Sequence, residues 1–167
     1  SQPGVFLHPH GMSLRLGMVG FGMVAERFHA PLINLEPGLR WTHVVERRSN
    51  RCQELYTQVK VLRHAQELWE SDVHVVLIVT PNDSHFTLAQ QALQAGKHVV
   101  VDKPFTLTSA EADQLIALSE EVRRCLTVFH NRRWDGDFLT VRQLLQEGTL
   151  GRLHRYESRW ERYRPLP

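Results

Sequence analysis

The sequence predicts an α/β fold, a doubly wound parallel sheet covered by helices on both faces. Three observations carry this. From Leu14 onward, short apolar runs alternate with longer segments of helical period. The short runs are rich in Val, Leu and Ile, as strands buried on both sides are. Gly20-Phe21-Gly22-Met23-Val24-Ala25 stands directly between the first such run and the first helical segment. A chain of 167 residues that is 42% hydrophobic can bury one good core, but it is too short for two domains of ordinary size.

Residues 1–11 contain two Pro, two Gly and two His without periodicity and precede Met12, so they read as a cloning remnant or a disordered leader. They lack the charged start and apolar centre of a secretory signal. Strands are expected at Leu14 to Val19, Trp41 to Val45, Val73 to Val79, His98 to Asp102 and Leu126 to Phe129, with a weaker one at Val59 to Leu62. Helices are expected at Ala25 to Asn34, Arg51 to Thr57, Phe86 to Ala95 and Ser109 to Arg123, with Gly38 and Gly96 as stop signals. Thr108 and Glu111 have the spacing of a capping box. Asp135 to Glu147 reads as a further helix closed by Gly148. Arg152 to Glu161 alternates polar and aromatic residues and reads as the first strand of a second, α+β domain, with Tyr156, Ser158 and Trp160 on one face. The expected organisation is a leader at 1–11, one α/β domain at 12–150 and the start of a second domain at 151–167.

Composition removes several function classes. The net charge is +2 and the pI about 8.7, with Arg and Lys spread along the chain, so nucleic acid is not the expected partner. Arg132-Arg133-Trp134 and the stretch from Arg159 to Arg164 have the composition of a single-strand binder, but Glu157 and Glu161 interleave. Cys52 and Cys125 belong to no C-x-x-C pair, which points away from a metal knot or disulfide scaffold and toward a reducing cytoplasm. The longest apolar run, Val73 to Val79, is interrupted by His74 and is too short for a membrane span.

G-x-G-x-x-A between a strand and a helix is the Rossmann dinucleotide signature: Gly20 permits the tight turn, Gly22 lets the backbone approach a pyrophosphate, and Ala25 lets the helix pack on the strand. The helix start then offers N–H groups to phosphate. The second strand runs into Val45-Glu46-Arg47-Arg48-Ser49. Glu46 suits the ribose hydroxyls of NAD, whereas Arg47, Arg48 and Ser49 suit the 2′-phosphate of NADP, so the residues argue both ways.

Downstream, Val79-Thr80-Pro81-Asn82-Asp83-Ser84-His85 and Gly96 to Val101 followed by Asp102-Lys103-Pro104-Phe105 follow the fourth and fifth strands. With the glycine turn, these motifs resemble the Gfo/Idh/MocA family of NAD(P)-dependent oxidoreductases, which act mainly on sugars and cyclic polyols. Phe28-His29-Ala30-Pro31-Leu32-Ile33 and Phe129-His130-Asn131-Arg132-Arg133-Trp134-Asp135 are similar to the branch that includes scyllo-inositol dehydrogenases.

The resemblance implies that Thr80, Pro81, Asn82 and His85 line the cofactor's path toward its nicotinamide. It also implies that Lys103 is catalytic, hydrogen-bonding the substrate hydroxyl and stabilising the developing alkoxide. In the family this Lys belongs to a Glu-Lys-Pro triplet; here Asp102 shortens the carboxylate by a methylene, and Pro104 is expected to follow a cis peptide bond. Asn131, Arg132 and Trp134 would frame the nicotinamide or form a cation–π set between domains. The family's substrate domain would begin near Leu153, so this stretch alone is expected to bind NAD or NADP with little or no turnover. Its strand at 152–161 would pair with a second copy, fold back or stay disordered. A non-catalytic dinucleotide-binding or sensing module is the competing class; it would not need Lys103 at the nicotinamide.

Overall fold

A computed structural model describes residues 13–161, 163 and 165. The expected leader at 1–11 and Arg162 and Arg164 of the aromatic–arginine stretch lie outside the described residues. The chain forms two compact units, one ending at Phe129 and one starting at His130. The helix after residue 135 thus groups with the segment that follows it, and the 12–150 division stays a proposal.

The first unit contains six strands: β1 Leu14–Val19, β2 Leu39–Val45, β3 Lys60–Leu62, β4 Val75–Ile78, β5 His98–Val101 and β6 Leu126–Val128. All pair in parallel in the order β3-β2-β1-β4-β5-β6. Strand order therefore reverses between β1 and β4, the place where doubly wound sheets open a crevice at their carboxyl ends. The helices are α1 Ala30–Leu35, α2 Arg51–Leu55, α3 Ala65–Trp69, α4 His85–Gln94 and α5 Ser109–Glu121.

Alternate strand residues serve alternate faces. Val19, Val45, Val76, Ile78, Val99 and Val101 join Leu68, Ala89, Leu93 and Leu115 from α3, α4 and α5 in one buried cluster. Leu16, Met18, Val44 and Leu77 join Ala30, Ile33 and Cys52 from α1 and α2 in the other. A one-residue slip in any strand would exchange these sets, so both cores fix the register.

Local deviations have physical causes. Ala25 to Asn34 was expected as one continuous helix, but Ala25–His29 is a π-helical turn that hands over to α1, with Ala30 N–H bonded to Ala25 O. Pro31 lacks an N–H and its ring crowds the carbonyl four residues back, so the ladder widens just before it. The short α3, for which the sequence carries no expectation, buries Leu68 and Trp69. Gly17 is a packing glycine inside β1: a Cβ there would lie 2.4 Å from Leu68 Cδ1. Gly96, at φ +75°, closes α4 through Gly96 N–H to Leu93 O and Lys97 N–H to Ala92 O, a Schellman stop. The Thr108–Glu111 capping box forms as expected.

In the second unit a 3₁₀ turn at Asn131–Trp134 leads into α6, Gly136–Gln146. The strand expected at 152–161 does not form: those residues join no ladder among the described residues. A strand needs a neighbour for its N–H and C=O groups, and alternation alone does not supply one.

Candidate active site

At the β1/β4 reversal the first unit opens a cleft of about 850 Å³, within the range of small-molecule sites. Its walls come from the carboxyl ends of four strands: Gly20, Phe21 and Gly22 after β1, Glu46 to Ser49 after β2, Arg63 after β3, and Thr80 and Pro81 after β4. Thr87, Leu88 and Gln91 of α4 close one side.

The two glycines at the turn are required for different reasons. Gly20 sits at φ +91°, and a Cβ there would lie 2.7 Å from Val79 O, so the fold itself demands glycine. Gly22 has nothing of the chain beyond its two neighbours within 4 Å of where its Cβ would be. Packing leaves position 22 free, and the open space is where a phosphate-bearing ligand would come against backbone. This is the fit expected of a dinucleotide cradle. Ala25 is fully buried beneath the turn, as expected of the small packing residue, and Glu26 N–H closes the turn on Gly22 O at 3.0 Å. Phe21 is mostly buried against Trp41 and Tyr56, with centroids at 5.9 and 6.4 Å. Met23 is exposed, Val24 is half-buried, and neither lines the cleft.

The far end of the cleft is rich in hydrogen-bond donors. The Glu46 carboxylate is buried and turned inward: Ser49 Oγ–H donates to Oε1 at 2.5 Å and Cys52 N–H to Oε2 at 2.9 Å. Arg47 and Arg48 are exposed, line the cleft, and make no hydrogen bond or ion pair with the described residues. Arg63, a residue with no expected role from the sequence, donates to Glu46 O, Ser49 O and Asn50 Oδ1. The signal for it was its place just after the β3 strand, on the ligand edge of a parallel sheet.

Asn82 opens a 3₁₀ turn, Asn82–Ser84, and stays outside the cleft, whose wall takes Asp83 and Ser84 instead. His85 was expected on the cofactor path. It is 1% exposed, and its ring bridges two segments, Nδ1 lying 2.8 Å from Pro104 O and Nε2 2.9 Å from Thr80 O. It therefore ties the Lys103–Pro104 loop to the cleft wall. The Lys103–Pro104 bond is cis, and Lys103 is exposed without a hydrogen bond or ion pair to the described residues.

Asp102 is buried and faces His29, whose Nε2 lies 3.8 Å from Oδ1 and has no hydrogen-bond partner among the described residues. The Phe129 ring packs tilted against the His29 ring, 4.2 Å between centroids. Burial pushes the His29 imidazole below its ordinary range, against the opposing pull of the Asp102 carboxylate. His43 and His98 are also held low, each first by burial. A histidine whose folded pKa lies below its unfolded value, near 6.5, binds more protons when unfolded, so stability rises with pH in that interval. The melting temperature is therefore expected to be flat from about pH 8 to 7 and to fall as the pH drops below about 6.5. A calorimetric pH series would contradict this by showing no loss between about pH 6.5 and 5.

Asn131, Arg132 and Trp134 lie in the second unit. There Arg132 pairs with Asp135 at 2.8 Å and its guanidinium stacks on Trp160 at 4.4 Å, so the cation–π contact forms with Trp160. Trp134 is 69% exposed. Among the described residues no group of three or more His, Cys, Asp or Glu is placed to hold a metal ion, and no helix is long and apolar enough to cross a membrane.

Residues 14–130 match the family model GFO_IDH_MocA, described as an oxidoreductase family with an NAD-binding Rossmann fold. YdgJ, an uncharacterized oxidoreductase of Escherichia coli K12, is 44% identical over 154 residues, 92% of this chain and 44% of YdgJ. The scyllo-inositol 2-dehydrogenase (NADP(+)) IolW of Bacillus subtilis 168 is 32% identical over 92% of this chain and 43% of its own length. A solved Bacillus cereus oxidoreductase superposes with a TM-score of 0.79 at 35% identity, covering 83% of this chain and 41% of that one. The chain thus spans less than half the length of these relatives.

Proposed function

The chain belongs to the Gfo/Idh/MocA oxidoreductase family, and from that premise we propose that it binds NADP in the β1/β4 cleft and presents Lys103 to a hydroxyl of a sugar or inositol-like cyclic polyol. The observation that carries this reading is the cleft itself, with open space over Gly22 at one end and the free guanidinium groups of Arg47 and Arg48 at the other. Glu46, the residue that would favour the unphosphorylated ribose of NAD, has its carboxylate engaged by Ser49 and Cys52. The name of IolW, an NADP-dependent scyllo-inositol dehydrogenase, supports the same cofactor and substrate class.

When bound, the nicotinamide supplies the site that accepts or donates hydride. The chain's own residues do the rest of what the cofactor half requires. The glycine turn seats the pyrophosphate, and Arg47 and Arg48 pair with the 2′-phosphate. His85 holds the Lys103 loop against Thr80. The Lys103 ammonium would donate a hydrogen bond to the substrate oxygen and offset negative charge on it. The free cysteines fit a cytoplasmic setting, the Cys52 thiol being pushed up to about 12 by burial and so inert. Self-association through the exposed Tyr156 and Tyr163 segment belongs to the same reading.

Titrating the chain with NADPH and with NADH, followed by nicotinamide fluorescence, tests it. NADPH is expected to bind at least about tenfold tighter, as two additional charge-assisted contacts allow. Binding of neither would overturn the function; tighter NADH would overturn the choice of cofactor.

A further inference from the structure

The β2–β3 register places Arg63 beside the loop that would read the cofactor's ribose. Val45 pairs with Leu62, and Glu46 N–H donates to Leu62 O at 3.0 Å, so the next residue of each strand, Glu46 and Arg63, leaves the sheet at the same edge. One guanidinium then closes the 46–50 loop. Arg63 Nη1 donates to Glu46 O at 2.7 Å and Ser49 O at 2.6 Å, and Nη2 donates to Asn50 Oδ1 at 2.5 Å. Beneath it the Glu46 carboxylate accepts from Ser49 Oγ–H and Cys52 N–H.

These contacts decide which chemistry the loop offers. A ribose diol is read by a carboxylate acceptor, and a ribose 2′-phosphate by donors. With the loop drawn in, the acceptor is committed to Ser49 and to the first turn of α2. Arg47 and Arg48 line the cleft instead. Arg63 lines it too, and of the five guanidinium N–H groups it spends three on the loop.

We infer that Arg63 sets the cofactor preference: it is a positioning residue that holds the Glu46–Asn50 loop in the form that accepts a 2′-phosphorylated adenosine and withholds the Glu46 carboxylate from an unphosphorylated one. This rests on the dinucleotide reading above. Without Arg63, the carbonyls of Glu46 and Ser49 lose their donor, the loop relaxes, and the carboxylate becomes available to a diol.

The test uses two half-ligands, adenosine 2′,5′-bisphosphate and 5′-AMP, titrated calorimetrically onto the chain and its Arg63→Met and Arg63→Lys variants, with a thermal melt of each. The unaltered chain is expected to favour the bisphosphate at least about tenfold. Arg63→Met is expected to cut that ratio at least about fivefold, mostly by weakening the bisphosphate, and Arg63→Lys, whose ammonium can still donate to both carbonyls, to fall between. A merely structural role would weaken both ligands equally. An unchanged ratio in Arg63→Met, or equal losses of both ligands, overturns the inference and leaves the dinucleotide reading standing. If Arg63→Met does not fold, an unchanged ratio in Arg63→Lys overturns it alone. Failure of the unaltered chain to take either ligand removes the dinucleotide reading, and this inference with it.

Discussion

Gly22→Val is expected to weaken NADPH binding at least about tenfold while leaving the stability of the chain within about 0.5 kcal/mol of its starting value. A Cβ there would have no atom of the chain beyond its two neighbours within 4 Å, so the fold has little to lose. The ligand loses its close approach to backbone. Gly20→Val is the opposite case. At φ +91° a β-branched residue is strained, and its Cβ would be forced to within 2.7 Å of Val79 O at the end of a central strand. The unfavourable backbone conformation alone costs about 1–3 kcal/mol, so Gly20→Val should lower both stability and affinity. Urea unfolding and NADPH titration of the two variants check the contrast. Equal stability losses would mean that Gly22, too, is a packing glycine.

The second large effect is expected at Lys103. In a preparation that also carries the length its relatives have beyond the matched region, Lys103→Met should reduce kcat for polyol oxidation by about 100- to 10,000-fold. Cofactor affinity should barely move, because the ammonium makes no bond that shapes the cleft. This separates an enzyme from a dinucleotide-sensing module. A sensing module would keep its affinity, and any turnover it showed would be indifferent to Lys103.

Much of the fold could be read in advance, because strands buried on both faces leave dense Val and Ile runs that few other structures tolerate. The glycine turn was legible for a similar reason: position 20 admits only glycine. What three dimensions added were choices between partners. Glu46 carries the residue type that reads a ribose, yet its carboxylate serves Ser49 and Cys52, which depends on how the 46–50 loop folds back. His85 lies in a motif that resembles a cofactor wall, yet both ring nitrogens face carbonyls of the chain. The place of Arg63 just after β3 was legible, but its acceptors on the 46–50 loop follow from the β2–β3 register, which no local pattern encodes. The tail at 152–161 shows the converse, since alternation there suggested a strand but no ladder partner exists among the described residues.

The central claim is that the β1/β4 cleft is a dinucleotide site, and backbone amide hydrogen exchange with and without NADPH tests it most directly. Protection is predicted at Gly20 to Glu26, Glu46 to Asn50 and Val79 to His85, three of the segments that converge on the cleft, with little change in α5. Unchanged exchange in all three segments at saturating NADPH would contradict the account.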